Sequence, residues 1–404
     1  MFCARSTYVP SLPIPALAAV DSVVVLRLGD AAFTTLAATG AFAGYEPAYP
    51  TYWDEYDIAG TLMHSAPNAQ VSSGSVVPCT LGVGNGEWLY DTDGLPSLSV
   101  DKTVAIAPCF TIPVGADIAS ALDARKVISV LGGNGVATQT TPFAAFTESF
   151  ANGGVRQAVT IDGTAFWLAG MGSFQWGFRY LASPSSNVTS LISSNSESQP
   201  GYYDARGLTI YDGQLYASDS SLDAGWAGVF TLGSGLPTTA TLGDEALLPG
   251  FDGDEPSVWT FVFENATSIW VAVDAEPGYE GNIEQFVLSS GSWIPQGLVH
   301  LDVDVPVYSI AGRVETSAAT VWEAHFVVYG TAAGALYRYD SVLHATTLIA
   351  TPTTGEHFRG VVLPPLCPPS ATATPTASMT STATATPSSS GTPQYCTSEL
   401  MGGT

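Results

Sequence analysis

The sequence predicts an all-β fold: a β-propeller of about seven blades, with six as the alternative, followed by an extended Ser/Thr/Pro-rich C-terminal tail. Three observations carry that expectation. One segment shape recurs four times, as TIDGTAFWLAG (160–170), IYDGQLYASD (210–219), ENATSIWVAV (264–273) and WEAHFVVYG (322–330). Aligning Phe166, Leu215, Ile269 and Phe326 spaces the copies by 49, 54 and 57 residues. Three or four short strands repeating at that period are the mark of propeller blades. An irregular β-sandwich or solenoid is the competing fold, and only a weak helical pattern, near 116–127, interrupts the strand signal.

Each copy opens with a polar or glycine-bearing turn and continues into aromatic and β-branched residues, the composition of a strand. A second strand follows in GFRYLA (177–182), GVFTLG (228–233), GNIEQFVL (281–288) and GALYRYD (334–340). A third follows in TSLIS (189–193), ALLPG (246–250), GSWIPQG (291–297) and TTLIA (346–350). A fourth leads into the next unit, as in FRGVVLP (358–364). Residues 21–365 at about 50 per blade give close to seven blades. SVVVLRLGD (22–30) has no partner before it and FRGVVLP has none after it, so the two are expected to share a sheet and close the ring. In the less regular first half, GYEPAYPTYWDEYD (44–57) reads as a long aromatic and acidic loop, and 88–108 resumes the strand pattern. The expected organisation is an N-terminal arm or signal-like segment (1–21), the propeller (22–365) and the tail (366–404).

Charge and cysteines bound the setting. Eleven Lys and Arg stand against 36 Asp and Glu, a formal net charge of −25, so nucleic acid and anionic membrane are poor partners. No run of 18 apolar residues offers a membrane span. Pro10, Pro13 and Pro15 interrupt the apolar stretch of the first twenty residues, which therefore suits an extended arm as well as a signal peptide. Cys79 and Cys109 occupy similar Pro-Cys contexts and are expected to pair. Cys3 and Cys367 are expected to pair if the chain ends meet, leaving Cys396 over. With the sequons at Asn187 and Asn265, these favour an extracellular, oxidising compartment.

In order along the chain come VVVLRLGD, DGTAFWLAG, FRYLAS, IYDGQLYASDSS, GVFTLGSGLPTT, LLPGF, TLIATP and FRGVVLPP. Over 22–365 the chain resembles a family of secreted β-propeller repeat proteins of bacteria and algae that carry NGQLYxS and GxGLPTT phrases. The resemblance implies the fold and implies no particular activity. The tail resembles the glycosylated rods of algal and protist extracellular matrix glycoproteins.

No catalytic motif is present, and His64, His300, His325, His344 and His357 have no metal-ligand spacing. No cofactor is expected. Ca²⁺ is the one metal worth considering, through the acid pairs Asp91 and Asp93, Asp252, Asp254 and Glu255, and Asp302 and Asp304. The EF-hand-like start YDTDG has Lys102 where the bidentate Glu belongs, and turn-forming acids are the plainer reading. Tyr49, Tyr52, Trp53 and Tyr56 form a candidate contact patch for sugar rings or a partner, or else fold back on their own propeller.

From Gly360 to Ser398 no residue is charged. Such a stretch buries too little apolar surface to fold alone and is biased toward extended polyproline II. Thr372, Thr374, Thr376, Ser378, Thr380, Ser381, Thr382, Thr384, Thr386 and Ser388 are expected O-glycan acceptors, with Pro375 and Pro387 as hydroxyproline candidates. The sequence thus points to a secreted structural glycoprotein, not an enzyme, whose partners are copies of itself and attached glycans. A glycan-binding propeller is the alternative, and a hydrolase with a central-channel site a more distant one.

Overall fold

The computed structural model describes residues 22–30, 47–68, 70–72, 75–82, 93–118, 125–143, 154–170, 177–194, 205–219, 227–241, 244–251, 258–273, 282–301, 307–316, 324–332 and 334–367. These residues form strands and connections, with no helix among them. The chain begins with β1 (Ser22–Leu28), β2 (Tyr49–Asp57) and β3 (Leu62–Pro67), then a small hairpin of β4 (Gln70–Ser72) and β5 (Ser75–Val77), and β6 (Thr80–Leu81). Next come β7 (Ser97–Leu98), β8 (Val104–Phe110), β9 (Lys126–Gly132) and β10 (Ala137–Gln139).

Four antiparallel sheets of four strands follow. They are β11 (Val155–Thr160), β12 (Phe166–Gly170), β13 (Gly177–Leu181) and β14 (Ser190–Ser194); β15 (Ala205–Tyr211), β16 (Gln214–Asp219), β17 (Gly228–Leu232) and β18 (Glu245–Leu247). Then β19 (Val258–Asn265), β20 (Ser268–Val273), β21 (Asn282–Ser289) and β22 (Ser292–His300); and β23 (Val307–Thr316), β24 (Ala324–Ala332), β25 (Ala335–Asp340) and β26 (Ala345–Ala350). The last strand, β27 (His357–Val362), returns to pair with β1.

The remaining strands lie in one nine-stranded sheet, apart from the β4–β5 hairpin. That large sheet resolves into two more blades, β27–β1–β2–β3 and β7–β8–β9–β10, joined by β6, which pairs with β2 on one side and β8 on the other. The strands that open the six blades (β7, β11, β15, β19, β23 and β27) touch one another in turn, and β27 meets β7 to close the ring. The described chain is therefore a six-bladed propeller. Dividing length by period predicted about seven, whereas the described residues between 22 and 82 supply three strands of one blade, the β4–β5 hairpin and the linking β6.

The predicted closure is observed. Val24, Val25 and Leu26 of β1 pair with Val362, Val361 and Gly360 of β27, and Val23, Val25, Phe358 and Val361 are buried together with Val327 and Leu336 of the preceding blade. Of the weak helical stretch, Val127 lies in β9, and residues 119–124 lie outside the described residues.

Small polar groups on or beside the inner strands stitch the blades together from β7 round to β27. Ser97 Oγ donates to Ala158 O at 2.6 Å, and Gln157 Oε1 accepts from Leu208 N at 2.6 Å. Thr260 Oγ1 donates to Tyr308 O at 3.1 Å and accepts from Ile310 N at 3.1 Å, and Ser309 Oγ accepts from Val361 N at 3.1 Å. At the equivalent place β15 has Gly207, where a Cβ would stand 2.5 Å from Trp259 O. Ser218 from the neighbouring strand takes over the role, accepting from Gly207 N and donating to Trp259 O. Tight hairpins finish the blades: Asp212 and Gly213 both take positive φ (48° and 74°) between β15 and β16, the geometry a two-residue turn needs to match strand twist.

Candidate functional site

The two ends of the ring differ. Within a blade the turns after the first and third strands lie at one end, and the connections after the second and fourth lie at the other. The first end carries mostly short described turns, including 212–213, 266–267, 290–291 and 341–344. At the other end, connections 171–176, 195–204, 220–226, 252–257, 274–281 and 302–306 lie outside the described residues.

At that second end, equivalent positions on five inner strands carry Arg156, Arg206, Trp259, Tyr308 and Arg359. All three arginines are buried, and Trp259 is 5% exposed. The Arg206 guanidinium lies 3.5 Å over the Trp259 ring, and that of Arg156 lies 5.3 Å from the same ring. Tyr308 packs edge-on against Trp259 with centroids 5.2 Å apart. Stacked guanidinium and indole planes form favourable cation–π contacts when desolvated. Three of the chain's eleven basic residues thus fill the hub of the ring. No local motif marks this set. The signal was there, because the five residues recur at intervals of 50, 53, 49 and 51.

Of the two readings of the aromatic stretch, the residues fold back on their own propeller. Residues 49–57 are strand β2, not a loop. Trp53 is 1% exposed in the hydrophobic core and its indole donates to Ser129 Oγ at 3.0 Å. Tyr56 is buried edge-on against Phe358, and Tyr49 packs edge-on against His357. Tyr49 and Tyr52 are half-buried, and the Tyr52 hydroxyl donates to Asp30 while Arg27 sits over its ring. A hollow of about 60 Å³ beside it, lined by Thr51, Pro67, Cys79 and Val114, is far smaller than a ligand pocket. The acids Asp54 and Glu55 that made this strand resemble a loop find partners distant in sequence. Asp54, fully buried, binds Arg27 of β1, and Arg27 also reaches Glu356 at 2.8 Å. Glu55 accepts from Ser22 Oγ at 2.7 Å.

The Cys79–Cys109 disulfide is present and ties the segment before β6 to β8. Cys367 is disulfide-bonded, and its expected partner, Cys3, lies outside the described residues. Asn187 and Asn265 are both exposed. Asn265 ends β19 at its turn into β20, where its Oδ1 accepts from Thr267 N at 2.8 Å and from Thr267 Oγ1 at 2.9 Å. Asn187 lies between β13 and β14, so both sequons are at the short-turn end. Both ends of the ring's chain leave there too: Ser22 is paired with Asp57 beside the β2–β3 turn, and Leu366 N donates to Lys102 O in the β7–β8 turn.

The tail acceptors, Thr372 through Ser388 with Pro375 and Pro387, lie outside the described residues, as do Asp91, Asp252, Asp254, Glu255, Asp302 and Asp304. Asp93 is buried at the head of the second blade. Among the described residues, no three His, Cys, Asp or Glu side chains gather as a metal site. The histidines remain dispersed over β3, β22, β24, the β25–β26 turn and β27. No described helix is long and apolar enough to cross a membrane.

Ring closure, six four-stranded blades and a filled hub define a β-propeller protein. No family model and no curated protein matches the chain. Among solved structures it is similar to a chain of a nidogen/laminin complex, at 9% identity and a TM-score of 0.46, covering 86% of this chain and 100% of that one. A candidate 6-phosphogluconolactonase of Bacteroides uniformis gives 11% identity and a TM-score of 0.41, covering 86% and 98%. A Lactobacillus plantarum protein gives 10% identity and 0.39, covering 81% of each. At such identity a shared architecture carries no activity with it.

Proposed function

We propose that this chain is a secreted structural glycoprotein, a propeller subunit of an extracellular fibril, appendage or matrix. The supporting observation is the one-sided layout. Both exposed sequons and both ends of the ring's chain share the short-turn end, so N-linked sugars and the Ser/Thr/Pro tail would clothe and tether one side. In this reading the opposite end and the blade edges would serve the contacts between subunits. A disulfide within the ring suits an oxidising compartment. A hub packed with Arg206, Trp259 and Arg156 suits a solid spacer better than a reaction chamber.

Mass spectrometry of the native protein, with electron microscopy of the same material, tests this reading. Glycans on Asn187, Asn265 and the 372–388 tract in end-to-end assemblies are the expected outcome. An unmodified chain that stays monomeric sinks it.

A further inference from the structure

We infer that the N-terminal arm of one copy completes the outer edge of a neighbouring copy's first blade, pairing residues 12–18 with β3. The inference rests on the assembly reading above and names how subunits would join. On the receiving side, β3 is the outermost strand of its blade and pairs only with β2 among the described residues. An open strand edge is a template for another chain. This one is also apolar: Ile58, Leu62 and Met63 are 44%, 48% and 38% exposed. The β2–β3 turn packs through Gly60 against the Ile349 carbonyl of the adjacent blade, beside Leu348, which is 52% exposed. In a chain of net charge −25, residues 58–63 along this seam carry no charge, and Asp57 just before them is half-buried with its Oδ1 accepting from Thr61 N at 2.7 Å.

The donor has the matching pattern. Residues 6–20 carry no charge and include Leu12, Ile14 and Leu17. In an extended strand alternate N–H groups point to opposite edges, so prolines are tolerated where their missing N–H faces away from the sheet. Pro13 and Pro15 share one parity, while Leu12, Ile14, Ala16 and Ala18 share the other and keep their N–H groups. Paired through the even residues, the arm would present an edge stripped of donors at 13 and 15. It would seal the sheet rather than extend it, a common way to blunt an edge.

Reach favours a neighbour's sheet over the arm's own. The arm enters the ring at Ser22, on the strand two places inside β3. Docking outside β3 of the same blade means crossing three strand spacings, about 14 Å. Four steps from Ala18 to Ser22 span at most about 14 Å fully extended, before any detour around the β2–β3 turn. A neighbouring ring imposes no such limit.

Proline scanning of the full-length chain, read by analytical ultracentrifugation, tests the register. Ala16→Pro removes an N–H of the pairing parity and is expected to weaken association at least roughly tenfold. Leu17→Pro, of the silent parity, should leave association within about twofold of the parent. Leu62→Lys, on the receiving edge, should act like Ala16→Pro, and circular dichroism checks that each variant stays folded. Equal effects of the two prolines would overturn the pairing, as would a mature chain that begins after residue 18. Monomers with an arm protected from proteolysis would mean docking in its own ring. Assemblies that persist without residues 1–21 would overturn this inference yet leave the structural-subunit reading standing.

Discussion

Single residues on β2 hold the seam where the chain closes on itself, and their ionisation links that seam to pH. Tyr56 is buried against Phe358 of β27. Burial, reinforced by the nearby Asp54 carboxylate, pushes its phenol from 10.0 up to about 12. Because the folded state holds this proton more tightly, Tyr56 contributes stability that is fully present below pH 10.0 and is lost as pH rises toward about 12. Tyr56→Phe keeps the ring contact and removes the titration. The variant should match the parent near neutrality and lose stability less steeply on the alkaline side, by on the order of 1 kcal/mol after solvent screening. Urea midpoints measured across that window check it, and identical alkaline slopes would refute the assignment. Tyr52 and Tyr329 are raised for the same first reason, burial, so the slope should diminish without vanishing.

At the scale of elements, blades adhere through buried apolar faces and through the small polar groups of their inner strands. Thr260 is 2% exposed and serves two backbone groups of β23 at once. Thr260→Val keeps the shape and leaves Ile310 N–H and Tyr308 C=O without their bond. The expected cost is about 1–3 kcal/mol, against less than about 0.5 kcal/mol for Thr347→Val on the exposed side of β26. A shared denaturation midpoint for the two variants would show that the inter-blade bonds contribute nothing. The four regular blades were legible in the sequence because each carries its turn chemistry beside its strands, so local residues announce local structure. The blade built from β27 and β1–β3 was half legible: its two end strands advertised closure, but β2 did not read as a strand. Its buried Asp54 is matched by Arg27, 27 positions away, and a carboxylate neutralised from that distance looks like a solvent-facing one. The hub escaped notice for a related reason. Arg156 and Trp259 meet only because the ring stacks inner strands of successive blades, and no local pattern joins a cation to a ring 103 positions on.

Over the whole molecule, the described ring depends on its last strand for closure. β27 supplies the innermost strand of a blade whose other three strands come from the opposite end of the chain, and it also contacts the strands that open both neighbouring blades. Without it, β1 presents an open edge toward the hub, and the cluster joining Val23 and Val25 to Val327 and Leu336 loses Phe358 and Val361. The buried Arg27–Asp54 pair loses its support as well, because Glu356, which also binds Arg27, directly precedes β27. Closure of this kind joins residues more than 300 positions apart, so its loop entropy is met only when the ring is complete. A chain stopped at Gly355 should therefore lose cooperative thermal unfolding and become sensitive to proteases. A chain that starts at Ser22 and keeps its C-terminal part should retain a single sharp transition, because no described strand is removed. Supplying residues 356–367 through a short linker ahead of Ser22 should restore the transition to the shortened chain, since β27 and β1 are antiparallel neighbours whose joined ends lie at the same side of the ring. Cooperative unfolding of the Gly355 truncation at the parent's midpoint would show that the five other blades hold the ring unaided and that the return of β27 is dispensable.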